Sequence, residues 1–138
     1  MSGRRPAFEK SSAATYATVN VVFAALLTLA FVYSWWFYPA AHPVKCRVLA
    51  ATGNPCRGCG LSRAFSAFVH LRFHEGMAWN PAALPAFGYL GAQFFVRWSL
   101  AARAFVGKPP AASGFFYADA TLSLAGFLVT FLPFVSPG

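Results

Sequence analysis

Residues 16–38 read YATVNVVFAALLTLAFVYSWWFY, and this run decides the fold class. It carries no charged side chain and, as a helix, is long enough to cross about 30 Å of hydrocarbon. Its one strongly polar residue, Asn20, lies near the starting end. Tyr33, Trp35, Trp36 and Tyr38 crowd the far end, where half-polar rings favour a membrane–water interface, and Pro39 ends the helix. A secretory leader would have a shorter apolar segment of about 7–15 residues and a small-residue cleavage site after it. The run fits neither requirement and is read as a transmembrane helix.

The composition agrees. Of 138 residues, 58% are hydrophobic and only 10% charged, against roughly 25% charged in a water-soluble domain. That leaves too little polar surface to cover a water-facing fold. The formal charge of +8 does not point to nucleic acid, whose binders gather basic residues on one soluble face. Here the basic residues stand in short segments between apolar runs, where they anchor helices and meet anionic lipid headgroups.

Working outward from the first span, residues 1–12 form a basic tail with Arg4, Arg5 and Lys10. Downstream, Asn80-Pro81 opens a second span over residues 81–105, because Asn is a favoured N-cap and Pro is tolerated at the first helical position. A kink is expected at Pro85, and Gly88, Gly91 and Ala92 offer a small-residue face for close helix approach. Residues 107–114 form a loop, and residues 115–134 a third span that weakens at Pro133. The chain is thus read as one all-α integral membrane domain, multi-pass in the cytoplasmic (cell) membrane. Basic residues are almost evenly divided between the two sides, and the slight excess places the N-terminus in the cytoplasm.

Two charges fall inside the expected spans. Arg97 and Asp119 each stand eleven positions from Lys108, so a helical hairpin brings them to similar depth. An unpaired charge at a helix centre costs about 2.5–3.5 kcal/mol on insertion scales, and an Arg97–Asp119 ion pair is expected.

Between the first two spans lies a cysteine-rich segment, residues 42–79, holding Cys46, Cys56 and Cys59 and also His42, His70 and His74. Gly53-Asn54-Pro55 is turn chemistry, and it can fold Cys46 back towards the pair. A helix of residues 60–73 follows the C-x-x-C turn, too short to span, with Ser62, Ser66, His70 and His74 recurring every fourth residue. This is read as an interfacial or re-entrant half-helix with one polar stripe. Ser62 and His70 stand two turns apart and lack the nucleophile-elbow sequence, so they do not form a hydrolase pair.

Cys46, Thr52-Gly53, then Cys56-Arg57-Gly58-Cys59-Gly60-Leu61-Ser62-Arg63-Ala64, then Asn80-Pro81 resemble a family of small bacterial membrane proteins, catalogued as a domain of unknown function. Its signature is close to C…TG…CPxCGxTRA…H…NP. The resemblance covers about a quarter of the chain and marks Gly58, Gly60, Ser62, Arg63, Asn80 and Pro81 as motif positions. Arg57 stands where the family usually has proline, and Leu71 where glycine is common after His70; the latter argues against a tight turn there. The resemblance implies a bacterial integral membrane protein and carries no activity with it.

The chemistry therefore rests on the residues, and three readings stay open. Cys46, Cys56 and Cys59 supply three soft ligands, and His42, His70 or His74 could add a fourth, which suits tetrahedral zinc. Cys56 and Cys59 before a helix start, beside Arg57, also suit thiol–disulfide exchange, with Cys46 as a third thiol. In the third reading the cysteines are structural, and the protein is a scaffold or small subunit among other membrane proteins. Gly58, Gly60, Arg57 and Arg63 could in addition cradle an anion such as a lipid phosphate. Three cysteines exclude a fully paired disulfide framework within one chain. A non-catalytic role centred on the cysteine segment is expected.

Overall fold

A computed structural model describes residues 7–43, 45–106 and 113–135. Among them the order of elements is α1 (Ala7–Trp36), a single 3₁₀ turn (Pro39–Ala41), α2 (Arg47–Thr52), α3 (Leu61–Val69), α4 (Phe73–Trp79), α5 (Ala83–Phe105) and α6 (Ser113–Val135). No strand occurs among the described residues.

Among the described residues two helices are long and apolar enough to cross a membrane: Ala13–Trp36, with mean hydropathy 1.9, and Gly114–Val135, with mean hydropathy 1.6. Their outward faces are oily, with Leu122, Val129 and Leu132 of α6 between 61% and 78% exposed. The third expected span, α5, has the same 23 residues as α6. It carries Arg97 and Arg103, however, and does not reach the same apolar standard.

α1 begins earlier than the sequence reading placed it, since residues 7–12 are helical rather than tail. It also ends at Trp36, two residues short of Tyr38. Residues 1–6 and the loop containing Lys108 lie outside the described residues. Pro85 does not interrupt α5, which begins at Ala83. A proline in the first turn removes an N–H that has no intrahelical partner there anyway.

α1 packs chiefly on α5, and α6 packs on α5. Gly88 and Gly91 meet nothing, so they are not the close-approach face the sequence suggested. Alanines take that role: Ala24 and Ala101 are 1% exposed, Ala83 and Ala86 fully buried. On α6 it is Gly126 that permits close packing, because a Cβ there would lie 2.7 Å from the Tyr89 ring.

The expected half-helix of residues 60–73 is two helices with a tight turn between them. α3 stops at Val69; the N–H of Leu71 bonds to the carbonyl of Phe68 at 2.9 Å and that of Arg72 to Ala67 at 2.9 Å. This nested pair is a Schellman ending, which requires a left-handed residue. Leu71 fills that place with φ 61°, although a side chain there costs about 1–2 kcal/mol. So the turn forms with leucine where the resemblance led one to expect its loss. The stripe breaks as a result: Ser62 and Ser66 lie on α3 and His70 caps its end, while His74 sits on α4. Phe68, 1% exposed, fills the angle between the helices, and a Cβ on Gly76 would fall inside its ring. Ala64, Phe68 and Ala83 form a small core with Leu61, Phe65 and Phe87, tying α3 to the start of α5.

Candidate metal centre

Three structural choices bring the cysteines together. Cys46 is the N-cap of α2, and its sulfur accepts the Leu49 N–H at 3.4 Å. α2 ends after one and a half turns at Gly53, whose φ of 72° turns the chain back. The C-x-x-C turn then closes on itself: the Cys59 N–H bonds to the Cys56 carbonyl at 2.9 Å, and the Cys56 N–H to the Cys59 sulfur at 3.2 Å.

The outcome is a three-sulfur cluster. Cys56 Sγ lies 3.3 Å from Cys46 Sγ and 3.3 Å from Cys59 Sγ, and all three sulfurs are within 4.8 Å of one another. No disulfide joins them. Thiolates around a tetrahedral ion at bond lengths of about 2.3 Å stand roughly 3.7 Å apart, within the span observed here. The three side chains can hold a metal ion. They also differ electrically. The Cys46 thiol is pulled down to about 7 by hydrogen bonds from the Cys59 thiol and the Leu49 N–H, and Cys59 is pushed up to about 11 by its bond to Cys46 and by burial.

None of the three histidines belongs to this cluster. His42 is buried against Tyr33 and Phe37, with ring centroids 5.5 and 6.1 Å away. His70 shares a 2.7 Å hydrogen bond between Nδ1 and the Ser66 carbonyl and lies against Tyr38 at 4.8 Å. His74 is exposed on α4. The His42 and His70 rings serve packing because α1 ends in a wall of aromatics at this level. Ser66, fully buried, donates to the Phe37 carbonyl and fastens α3 to the end of α1.

Arg57 does not join an anion cradle with the glycines. It reaches across to donate to the Pro133 carbonyl at 3.0 Å, near the end of α6. Arg63 instead lies over the Trp79 ring, 4.8 Å from its centroid. Gly60 is required where it stands: its φ is 81°, and a Cβ there would come within 2.6 Å of the Trp79 carbonyl oxygen. Gly58 has no such constraint, since a Cβ would only touch Cys56 Sγ at 4.0 Å.

The residue that ties this turn to the helices is Asn80, 6% exposed. Its amide nitrogen donates to the carbonyls of Arg57 and Cys59 at 2.9 and 3.1 Å, and its Oδ1 accepts the Ala82 N–H at 3.0 Å. The sequence marks it as the N-cap of a span opening at Pro81, but α5 begins at Ala83 with Ala82 as its N-cap. In the fold Asn80 instead fixes the carbonyls on either side of Gly58. Asn80→Asp keeps the oxygen that accepts the Ala82 N–H and loses both donors. It is expected to weaken metal binding about 10–100-fold, the usual cost of losing an outer-shell partner, with helix content unchanged; competition against a chelator measures it.

At the other end of the helices Arg97, 8% exposed, forms a second polar centre. Its two terminal nitrogens bond to Asp119 at 2.6 and 3.1 Å, and further to Asn20 at 2.8 Å and Ser123 at 2.6 Å. Its Nε reaches Gln93 at 3.1 Å, while Tyr16 donates to Asp119 at 2.6 Å. Three helices are joined through one guanidinium. The spacing argument anticipates Arg97 and Asp119; the roles of Asn20, Ser123, Gln93 and Tyr16 follow only from the packing, with the lone Asn20 in an apolar run as a hint.

A family model described as a protein of unknown function (DUF2752) matches residues 46–94. That span takes in all three cysteines, Asn80 and the first half of α5. No curated protein and no solved structure gives a significant match.

Proposed function

We propose that this chain is a multi-pass membrane protein in which Cys46, Cys56 and Cys59 hold a zinc ion as the centre of a non-catalytic scaffold. The observation that carries the reading is the approach of all three sulfurs to within 4.8 Å of one another, from segments ten residues apart. Soft thiolates in a tetrahedral arrangement favour zinc over harder cations. The ion would fasten α2 to the C-x-x-C turn, two pieces otherwise joined by short turns. Its fourth position would go to water or to a donor from another membrane subunit.

α5 is taken as the third span. Its length gives about 34 Å of helix, and its awkward charge, Arg97, is neutralised by Asp119 within the bundle. Arg103, in the last turn, can extend to the interface. The network at Asn20 and the cysteines beyond Trp36 then stand about 24 Å apart along α1, near opposite interfaces.

A second reading, thiol–disulfide exchange, is favoured by one observation: Cys56 Sγ lies 3.3 Å from both other sulfurs. One experiment separates the two. Metal analysis of the purified protein, with thiol counting under non-reducing conditions, should give close to one zinc per chain and thiols that react only after chelation. A metal-free protein with a readily reduced bond between two of the cysteines supports exchange instead. Three free, reactive thiols and no metal overturn both.

A further inference from the structure

Beside the thiols lies a cleft of ≈ 540 Å³ whose lining includes Lys45, Leu49, Leu61, Arg63 and Trp79 together with Cys46 and Cys59. Among the described residues no acidic side chain lines it. The chain has three acidic residues in all. Glu75 pairs with Arg72 at 2.6 Å and Asp119 with Arg97 at 2.6 Å. Glu9 lies in the first turns of α1, at the far end of that helix from the cysteines. The cations of the cleft thus have no carboxylate to meet. Arg63 is held over Trp79 by its ring face, and its Nε is buried with no hydrogen-bond acceptor.

Apart from the Ser62 hydroxyl, the rest of the lining is apolar side chain or glycine. Leu49 is 44% and Trp79 39% exposed, so the mouth of the cleft is oily while its charged groups are basic. Along the chain the cleft residue Lys45 follows Trp35 and Trp36, 58% and 73% exposed, the rings that mark an interface. A phosphate with an apolar tail matches all three features.

We propose that this cleft binds the phosphodiester headgroup of an anionic phospholipid, with Lys45 and Arg63 meeting the phosphate and Leu49, Leu61 and Trp79 meeting the start of the acyl chains. The assignment rests on the membrane reading of the helices and not on the metal. It gives the cysteine segment a fixed seat on the bilayer surface.

The test uses the full-length protein in neutral detergent, with native mass spectrometry after adding equal amounts of phosphatidylglycerol and phosphatidylcholine. Phosphatidylglycerol should be retained preferentially, and Lys45→Gln and Arg63→Gln should each reduce that preference about fivefold, the factor one basic side chain contributes at an anionic surface. Arg47→Gln, a charge loss on α2 outside the cleft, should leave it unchanged, and Arg63→Lys should keep most of it if Arg63→Gln disturbs Trp79. Equal retention of both lipids, or a preference that survives Lys45→Gln with Arg63→Lys or Arg63→Gln, overturns the proposal. Inorganic phosphate that displaces phosphatidylglycerol at comparable concentration, and loses that ability in the same variants, would assign the cleft to a soluble phosphate and overturn the lipid. Failure of the membrane reading shows separately, as release of the protein from membranes by alkaline carbonate.

Discussion

Cys56→Ser is expected to lose its zinc. Cys56 is the middle sulfur of the cluster, 3.3 Å from each of the other two, so its removal leaves two ligands from separate segments with nothing between them. A serine hydroxyl is a hard, weakly acidic donor and does not replace a thiolate at a soft site. Losing an outer-shell partner costs about 10–100-fold in affinity, and losing a direct ligand should exceed the upper end of that range. Metal content after dialysis against a mild chelator reads the effect: near stoichiometric for the parent, near zero for the variant. Cys56→Ser that keeps its zinc would show that the three sulfurs are neighbours without being ligands. The fold should survive, because the helices are held by the Phe68 core and the Arg97 network. Helix content by circular dichroism checks that the loss is local.

The second large effect is at the far end of the bundle. Arg97 and Asp119 have side chains 9% and 12% exposed, and removing one partner from so buried a pair costs about 3–5 kcal/mol. Arg97→Asp and Asp119→Arg should therefore each lower the yield of folded, detergent-stable protein severely. The exchanged double variant should recover much of it, since the pair is restored with reversed polarity. Recovery should stop short of the parent. Asn20, Ser123 and Gln93 accept hydrogen bonds from Arg97, and a carboxylate at that position can use only donors. Size-exclusion recovery of the four proteins measures this, and a double variant no better than either single one would mean that the pair does not hold the helices together.

How these features could be read from the chain differs from case to case. The apolar helices follow from composition, because a charge-free run over residues 16–38 has no other way to satisfy its backbone away from water. The Arg97–Asp119 pairing follows from equal spacing about Lys108, a consequence of constant helical rise. The meeting of Cys46 with the C-x-x-C pair was legible in the turn residues Gly53-Asn54-Pro55, which allow little but reversal. The helix break at Leu71 was not legible, because local preference opposes it. Only the packing of Phe68 against Gly76 makes the left-handed leucine worth its cost.

By itself, then, the sequence determined that the chain is helical, that much of it is too apolar for water, and that three thiols share one segment. Those properties are local: hydrophobicity, turn chemistry and spacing act within a few residues of themselves. Only the tertiary structure decided that His42 and His70 pack on the aromatics at the end of α1, and that His74 stays exposed on α4, instead of joining the sulfurs. It alone turned Arg57 towards α6, left Arg63 and Lys45 facing a cleft with no acid, and set Asn80 across two carbonyls of the C-x-x-C turn. Each of these depends on which helix faces are pressed together, and so on long-range packing that no short stretch of the chain encodes.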